Sequence, residues 1–284
     1  MMNHDTAPLI SIIVAVFNGK ATLQQCIDSV AQQSWSSKEL IVIDGGSKDG
    51  TVDLLNENRD KIAFWISEPD CGIYNAWNKG LVHAKGEWTC FLGADDYLWD
   101  AQVLERMAKQ LVKIPPDIRV VYGQIMKLSV EGKELHPEGE PWPEAKQRFR
   151  QQYMSIPHPA VMHRKNLFEQ RGNFDESFRI AGDYELLLRE LRTGDAVFIP
   201  DMIITGVRAG GISMHSENTM KALLELGRAQ RIHGQLLPGG FLLKAMGREF
   251  IRKLLWGILG DSSARKLLDL RRRLRGLPPH WTKT

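Results

Sequence analysis

Two adjacent carboxylates follow one of the apolar runs in the first half of the chain. Asp95 and Asp96 come shortly after Glu87 to Leu92, a run typical of a buried strand. In open parallel sheets, ligands bind beyond the carboxyl ends of the strands. Paired carboxylates there can hold Mg²⁺ or Mn²⁺ while substrate phosphates supply further ligands. The pair could instead cap the helix expected near Ala101 to Val112, and spacing alone does not separate these two interpretations.

Two earlier apolar runs also end in polar residues. The first ends at Phe17-Asn18-Gly19, and the second is followed by Asp44-Gly45-Gly46-Ser47. Neither a GxGxxG turn nor a GxxxxGK[ST] loop is present in the chain. A dinucleotide-dependent oxidoreductase and a P-loop ATPase therefore have weak support.

The elements that would position these residues alternate between strands and helices. The predicted strands are Leu9 to Phe17, Glu39 to Ile43, Ile62 to Ser67 and Glu87 to Leu92. The predicted helices are Ala21 to Gln33, Thr51 to Asn58, Ile73 to Ala84 and Ala101 to Val112. This alternating order predicts an α/β fold with a mostly parallel, Rossmann-like sheet.

The second half of the chain predicts α+β structure at the end of that sheet. Strands are expected at Val120 to Tyr122 and Ile125 to Val130, then at Ala196 to Ile199 and Met202 to Val207. A loop is expected from Pro141 to Pro143, and a helix from Asp183 to Arg192. An amphipathic helix is expected from about Leu243, followed by a helical piece from Ser263 to Arg275.

The charge is unevenly distributed along the 284 residues. The net charge is +3, yet the segment from Lys244 to Arg275 holds ten Lys/Arg and three Asp/Glu. That local excess of seven leaves a net −4 for the remainder, and it favours an anionic membrane surface as a partner of the C-terminal segment. The alternative is that the apolar face of this segment packs on the preceding domain and that its charges are simply solvated. The chain contains three widely spaced cysteines, Cys26, Cys71 and Cys90, and no CxxC pair. This pattern favours a reduced, cytoplasmic setting over a zinc site or a disulfide framework.

No run is long and apolar enough to predict a transmembrane helix.

Three motifs taken together resemble the family 2 glycosyltransferases. They are Ser11 to Asn18 (SIIVAVFN), Ile41 to Thr51 (IVIDGGSKDGT) and Gly93 to Asp96 (GADD). The stretch Ser67 to Gly80 (SEPDCGIYNAWNKG) is similar to a WcaE-like subgroup of exopolysaccharide biosynthesis enzymes. The resemblance covers roughly residues 8 to 215 and implies a GT-A fold that binds a nucleotide-diphosphate sugar.

The resemblance also implies roles for individual donor-site residues. Phe17 would pack near the nucleotide base, with Ala15 and Asn18 beside it, although a core role for Phe17 is an alternative. Asp44 matches the first residue of the family's Asp-Asp-Gly-Ser run and would read a uracil-like base, which favours a UDP-sugar. Gly45 stands where that run has its second Asp. The remaining implied contacts are Asn78, Lys79 and Asp95 for the nucleotide sugar, and Asp96 with Asp95 for the metal.

The acceptor half would supply the catalytic base. Asp183 matches the family's base position, with Gly182 in place of the usual Glu and with Glu185 as a rival. Such a group is needed because the acceptor hydroxyl must lose a proton as it attacks the anomeric carbon. His158 and His163 would lie near the acceptor. A loop at Gly210 to Ser213, with Arg208 and His215 beside it, would lie near the donor diphosphate.

These features predict an inverting, metal-dependent enzyme that adds one sugar to a glycan or lipid-linked acceptor in surface polysaccharide biosynthesis. A Gln-x-x-Arg-Trp motif, typical of processive relatives, is absent, and no nucleic acid partner is expected. The predicted domain of residues 1–235 has a nucleotide-sugar half (8–120) and an acceptor half (121–235), followed by a basic extension (236–284). Two alternatives stay open: a catalytically inactive nucleotide-sugar-binding partner and a sugar-phosphate nucleotidyltransferase. The family's diphosphate-facing Arg is replaced by Trp77, and its loss keeps the inactive alternative open.

Overall fold

The computed structural model describes residues 8–209, 218–235, 237–274 and 276. The chain divides into two compact units, Met1–Leu236 and Leu237–Thr284. The first unit contains a single mixed sheet, to which nine strands of the described residues contribute. The predicted α/β class is therefore confirmed.

The first half of the chain forms the parallel part of the sheet. Its strands are β1 (Ile10–Val16), β2 (Lys38–Asp44), β3 (Phe64–Ser67) and β4 (Trp88–Gly93), paired in the order β3-β2-β1-β4. The connecting helices are α1 (Lys20–Ala31), α2 (Thr51–Glu57) and α3 (Ile73–His83). Val16 lies in register with Asp44, and Ala15 with Gly93, so the polar ends of three strands meet at one edge.

Both faces of this sheet are covered, which explains the nearly continuous apolar runs. Ile10, Ile12, Val14 and Val16 belong to one hydrophobic cluster, and Ile13 belongs to the cluster on the opposite face. Since successive residues of a strand point to opposite faces, a strand buried on both sides needs apolar residues at nearly every position.

The second half extends the sheet beyond β4 in the order β4-β8-β6-β9-β5. Its strands are β5 (Tyr97–Leu98), β6 (Val120–Leu128), β7 (Glu134–Glu138), β8 (Val161–Arg164) and β9 (Val197–Arg208). The helices are α4 (Val103–Leu111), α5 (Trp142–Gln151), α6 (Lys165–Arg171), α7 (Gly182–Leu191) and α8 (Thr219–Ile232). β8 runs antiparallel to β4 and β6, whereas β6 and β9 are parallel.

Three predictions for this half were wrong in detail. The two strands predicted at 120–130 are one strand, β6, and those predicted at 196–207 are also one strand, β9. The irregular pairing register between β6 and β9 around Tyr122 and Gln124, together with the left-handed Asp201, accommodates the residues that looked like breaks. The loop expected at Pro141 to Pro143 instead begins α5, because proline is tolerated in the first turn of a helix.

The second unit contains one long helical segment, α9 (Gly240–Arg273). Gly260, with φ of 72°, interrupts it between the two helical pieces expected from the sequence. Leu243, Phe250 and Leu254 are exposed apolar side chains of this segment. Within the part of the chain that the structure describes, no helix is long and apolar enough to cross a membrane.

Candidate functional site

A cavity of about 590 Å³ opens at the edge where the polar strand ends meet. It lies between the ends of β1 and β4 on one side and the segment leading into α7 on the other. Seven of the residues that the sequence predicted to lie at the site line it: Ala15, Phe17, Asp95, Asp96, His158, Asp183 and Arg208. The cavity therefore brings the proposed donor carboxylates and the proposed base together.

Asp95 and Asp96 lie in a tight turn at the end of β4. The Asp96 N–H donates to the Gly93 carbonyl at 3.1 Å, and the Gly93 N–H donates to Asp96 Oδ2 at 3.0 Å. A methyl group built on Gly93 would lie 2.7 Å from Asp95 Oδ1 and 3.2 Å from Asp96 Oδ2, so both carboxylates converge on this glycine. The helix-capping interpretation of the pair is wrong, since β5 follows the turn and α4 begins only at Val103.

The Asp95–Asp96 turn could supply two carboxylate ligands to Mg²⁺ or Mn²⁺. Burial and, to a smaller extent, the negative charge of Asp95 raise the pKa of Asp96 to about 8, against the opposing hydrogen bond from the Gly93 N–H. A buried carboxylate beside a second one is stabilised by a cation, and hard oxygen ligands suit these ions. Among the described residues no group of three or more His, Cys, Asp or Glu is arranged to hold a metal, so further ligands would have to come from substrate.

Asp183 lies on the opposite side of the cavity, in the first turn of α7. Its Oδ1 accepts hydrogen bonds from the Tyr184 N–H at 2.8 Å and from the Tyr74 hydroxyl at 3.2 Å. Burial raises the pKa of Asp183 to about 6, and these two donors oppose the rise. The carboxylate is therefore ionised at neutral pH and able to accept a proton.

Glu185, the rival base, is already engaged elsewhere. It is buried and does not line the cavity. Its carboxylate accepts hydrogen bonds from Arg189 at 2.9 Å and from His233 at 2.8 Å. The geometry thus favours Asp183 over Glu185 as the group that faces substrate.

The end of β1 presents an aromatic ring to the cavity. The Phe17 side chain is 66% exposed, which excludes the core role considered from the sequence. Asn18, with φ of 51°, holds the neighbouring loop: its Oδ1 accepts from the Lys48 N–H, and its own N–H donates to Ser47 Oγ. An exposed ring beside a ligand cavity can stack on a planar base through its π face.

Asp44 is buried beneath this edge and does not line the cavity. Its Oδ2 accepts hydrogen bonds from the Gly46 N–H at 3.1 Å, the Ser47 N–H at 2.9 Å and Ser67 Oγ at 2.6 Å. The Ser47 hydroxyl also donates to its Oδ1. The carboxylate thus organises the loop after β2. The base-reading role of Asp44 and the donor contact of Gly45 stay predictions.

Asn78 and Lys79 also lie off the cavity wall and have partners elsewhere. Asn78 Nδ2 donates to the Phe174 carbonyl at 2.9 Å, and Lys79 Nζ pairs with Glu68 at 2.6 Å. The cationic residues that do line the cavity are Arg179 and Arg208. Arg179 was missed by sequence reasoning, because nothing in its neighbourhood marks it before α7 folds against α3.

Trp77, at the position where the family often has Arg, is buried in an aromatic cluster. Its ring centroid lies 5.1 Å from that of His158, and both residues contribute to the cavity wall. Burial lowers the pKa of His158 to about 3 and lowers the pKa of His163 well below its ordinary value, so both are neutral. The loop expected at Gly210 to Ser213 and His215 lie outside the described residues.

Comparison with known proteins settles the family. The model of the family described as glycosyl transferase family 2 matches residues 11–176, more than half of the chain. The chain belongs to glycosyl transferase family 2. It is 33% identical over 187 residues to a PGL/p-HBAD biosynthesis glycosyltransferase of Mycobacterium bovis, covering 64% of this chain and 70% of that protein. It is 30% identical over 251 residues to an uncharacterized glycosyltransferase of Mycobacterium tuberculosis, covering 86% and 93% respectively.

Solved structures of other glycosyltransferases share the fold of this family 2 chain. A mannosyltransferase from Pyrobaculum calidifontis, in complex with GDP-Man and Mn²⁺, gives a TM-score of 0.62 at 17% identity and covers 98% of this chain and 83% of that one. S. aureus TarS 1–349 in complex with UDP-GlcNAc gives 0.61 at 17% identity and covers 93% and 77%. The chain is thus a glycosyltransferase with a GT-A fold.

Proposed function

We propose that this glycosyltransferase moves one sugar from a nucleotide-diphosphate donor to a hydroxyl of a glycan acceptor, with inversion at the anomeric carbon. The observation that carries the proposal is a single cavity lined by Asp95 and Asp96 on one side and by Asp183 on the other. The reaction needs stabilisation of the charge on the leaving group and removal of the acceptor proton. In this proposal Asp95 and Asp96 serve the first need and Asp183, on the opposite side of the cavity, serves the second.

The donor would bind at the β1 and β4 ends. Phe17 supports this assignment by its exposed ring, and Ala15 by its place on the wall. Asp96, with Asp95, would hold a divalent cation, which when bound neutralises charge on the diphosphate. The family resemblance favours a UDP-sugar. Of the two solved structures that share this fold, S. aureus TarS 1–349 is in complex with UDP-GlcNAc and the mannosyltransferase is in complex with GDP-Man and Mn²⁺. Asn18 and Gly45 would contact the donor from the same edge in this proposal, whereas Asp44, Asn78 and Lys79 would act on it through the segments they hold in place.

Asp183 would act as the general base. Its ionised carboxylate takes the proton of the acceptor hydroxyl while that oxygen forms a bond to the anomeric carbon. The bond from the anomeric carbon to the diphosphate oxygen breaks, and its electron pair leaves with the nucleotide diphosphate. Tyr74 and Tyr184 keep Asp183 Oδ1 in place through their hydrogen bonds. Attack from the face opposite the leaving group inverts the anomeric centre.

A donor screen tests the proposal directly. The purified chain is incubated with UDP- and GDP-sugars, with and without Mn²⁺, and released nucleotide is measured. We expect one donor to be turned over in the presence of the cation. Binding without any turnover or transfer would favour the inactive binding partner, and formation of a nucleotide sugar from a sugar phosphate would favour the nucleotidyltransferase.

The C-terminal unit would hold the enzyme near a lipid-linked acceptor at the cytoplasmic face of a membrane, in surface polysaccharide biosynthesis of the WcaE-like kind. Exposed apolar residues such as Phe250 and Ile258 alternate along α9 with exposed Lys244, Arg248 and Lys253. Apolar burial and anionic lipid together hold such helices in the membrane interface.

Liposome binding tests this attachment. Replacing Lys244, Arg248 and Lys253 by Gln should weaken binding to anionic vesicles about a hundredfold, since each basic residue contributes about 1 kcal/mol near such a surface. Replacing the exposed Lys48, Lys113 and Lys133 of the first unit by Gln removes the same charge and serves as the control. Equal binding of the two triple variants would contradict a C-terminal membrane surface.

A further inference from the structure

Gly45 leaves a space that a carboxylate from another loop fills. In the family resemblance, Gly45 stands where the Asp-Asp-Gly-Ser run has its second Asp. A methyl group built on Gly45 would lie 2.6 Å from Asp70 Oδ2 and 3.2 Å from Asp70 Cγ. The side chain of Asp70, which follows β3, therefore occupies the position that a side chain at residue 45 would take.

Asp70 and Asp44 differ in whether both of their carboxylate oxygens accept hydrogen bonds. All hydrogen bonds to the Asp44 carboxylate come from the loop after β2 and from Ser67, and Asp44 is buried. Asp70 Oδ1 accepts the Gly72 N–H at 2.8 Å, whereas no donor within the described residues reaches its Oδ2. Asp70 also lines the cavity and Asp44 does not. Of these two carboxylates, Asp70 is thus the one that presents an acceptor oxygen without a partner at the cavity wall.

An aromatic ring lies beside the same position. The methyl group built on Gly45 would lie 3.4 Å from Phe17 Cδ2, so Phe17 and Asp70 flank one glycine. A ring that can stack and a carboxylate oxygen without a partner make a subsite for a planar group bearing an N–H. Resting on the proposed donor site, we propose that Asp70 is the residue that reads the nucleotide base in this enzyme, in place of the Asp-Asp pair.

The chemistry of a carboxylate defines which bases it selects. Uracil presents an N3–H donor and guanine an N1–H donor, whereas cytosine has a lone pair at N3. A carboxylate opposite this ring position accepts a hydrogen bond from the first two bases, but it meets the N3 lone pair of cytosine, whose N4 amino donor lies one ring position away. Asp70 should therefore favour UDP over CDP, two nucleotides of nearly equal size.

The carboxylate can be moved by substitution from residue 70 to residue 45, where the family's run has its second Asp. The backbone of Gly45 lies outside the left-handed region, so an Asp is conformationally allowed there. Gly45→Asp alone would collide with Asp70. The double variant Gly45→Asp/Asp70→Ser removes the collision and keeps a hydroxyl to accept the Gly72 N–H.

The test measures UDP, GDP and CDP dissociation constants by calorimetry in the presence of Mn²⁺. Asp70→Asn and Asp70→Ser should each lower the UDP-over-CDP preference about tenfold or more, the effect expected of a hydrogen bond to a charged group. Gly45→Asp/Asp70→Ser should restore much of that preference relative to Asp70→Ser. Glu68→Gln is the matched control, since Glu68 is an exposed carboxylate on the same loop that does not line the cavity.

The outcomes separate this inference from the proposed function. If the unmodified protein binds UDP and the Asp70 variants keep its preference over CDP, the assignment of Asp70 is overturned while the donor site stands. If the unmodified protein binds neither UDP nor GDP, both the donor assignment and the role of Asp70 fail. Folding of each variant is checked by its thermal unfolding midpoint.

Discussion

The two sides of the cavity place their carboxylates in different electrostatic surroundings. At the β4 end, Asp96 has Asp95 as its neighbour and one backbone donor, and its pKa is raised to about 8. At the start of α7, Asp183 is less fully buried and accepts hydrogen bonds from Tyr74 and Tyr184, and its pKa is raised only to about 6. The first side therefore disfavours a bare negative charge on Asp96, whereas the second leaves Asp183 ionised at neutral pH.

The largest expected effect is at Asp183. Asp183→Asn should lower transfer about a thousandfold while leaving nucleotide affinity nearly unchanged, because it removes the base and keeps the shape. Single-turnover transfer and nucleotide binding measure the two properties separately. Glu169→Gln, an exposed carboxylate of α6, is the control for charge. Near-normal transfer by Asp183→Asn would place the base elsewhere.

A somewhat smaller loss of turnover is expected when Asp96 is replaced. Asp96→Asn should lower turnover about a hundredfold, since electrostatic contacts to developing charge contribute on this scale. The variant should also lose its response to Mn²⁺, whereas Asp183→Asn should still bind nucleotide more tightly when Mn²⁺ is added. Titration of nucleotide affinity against Mn²⁺ shows the difference. Turnover of the unmodified enzyme that is unaffected by excess EDTA would remove the metal role.

The pH dependence should separate the two sides further. With Asp183 as base, kcat/KM should fall about tenfold per unit below its pKa of about 6 and level off above it. Tyr74→Phe should move this limb to higher pH, since the hydroxyl hydrogen bond stabilises the ionised carboxylate. If Tyr74→Phe leaves this limb of the kcat/KM profile unmoved, the assignment of Asp183 as the base is contradicted.

The raised pKa of Asp183 also affects the free energy of unfolding. Because the folded state binds the Asp183 proton more tightly than the unfolded state, the contribution of this group to stability falls as pH rises from about 4 to 6.

The smallest expected effect distinguishes two cationic residues. Arg179→Ala should weaken binding of a nucleotide diphosphate about tenfold, because Arg179 lines the cavity and no donor or acceptor within the described residues pairs with its guanidinium. Lys79→Ala should change it much less, since Lys79 is paired with Glu68. Affinities for UDP and uridine, compared between the two variants, isolate the diphosphate contribution. Equal losses would contradict the placement of Arg179 at the diphosphate.

Local pattern was enough to predict much of the fold. Continuous apolar runs such as Ile10 to Val16 predict strands covered on both faces, and the intervening helical spacing predicts the crossovers. The second half was less predictable, because β6 and β9 are shaped by their irregular pairing with each other. Pairing between strands about 80 residues apart leaves little trace in either segment alone.

The same division holds for the cavity. The sequence by itself determined the family, the parallel half of the sheet and the residue types at its edge, because these follow from local periodicity and from motifs in a fixed order. Only the tertiary structure decided which of those residues line the cavity. Asp44 and Asp70 are chemically alike, but packing buried the first beneath four hydrogen-bond donors and left an oxygen of the second beside Phe17. Hydrogen bonds and burial between distant segments set these differences, and no single segment encodes them.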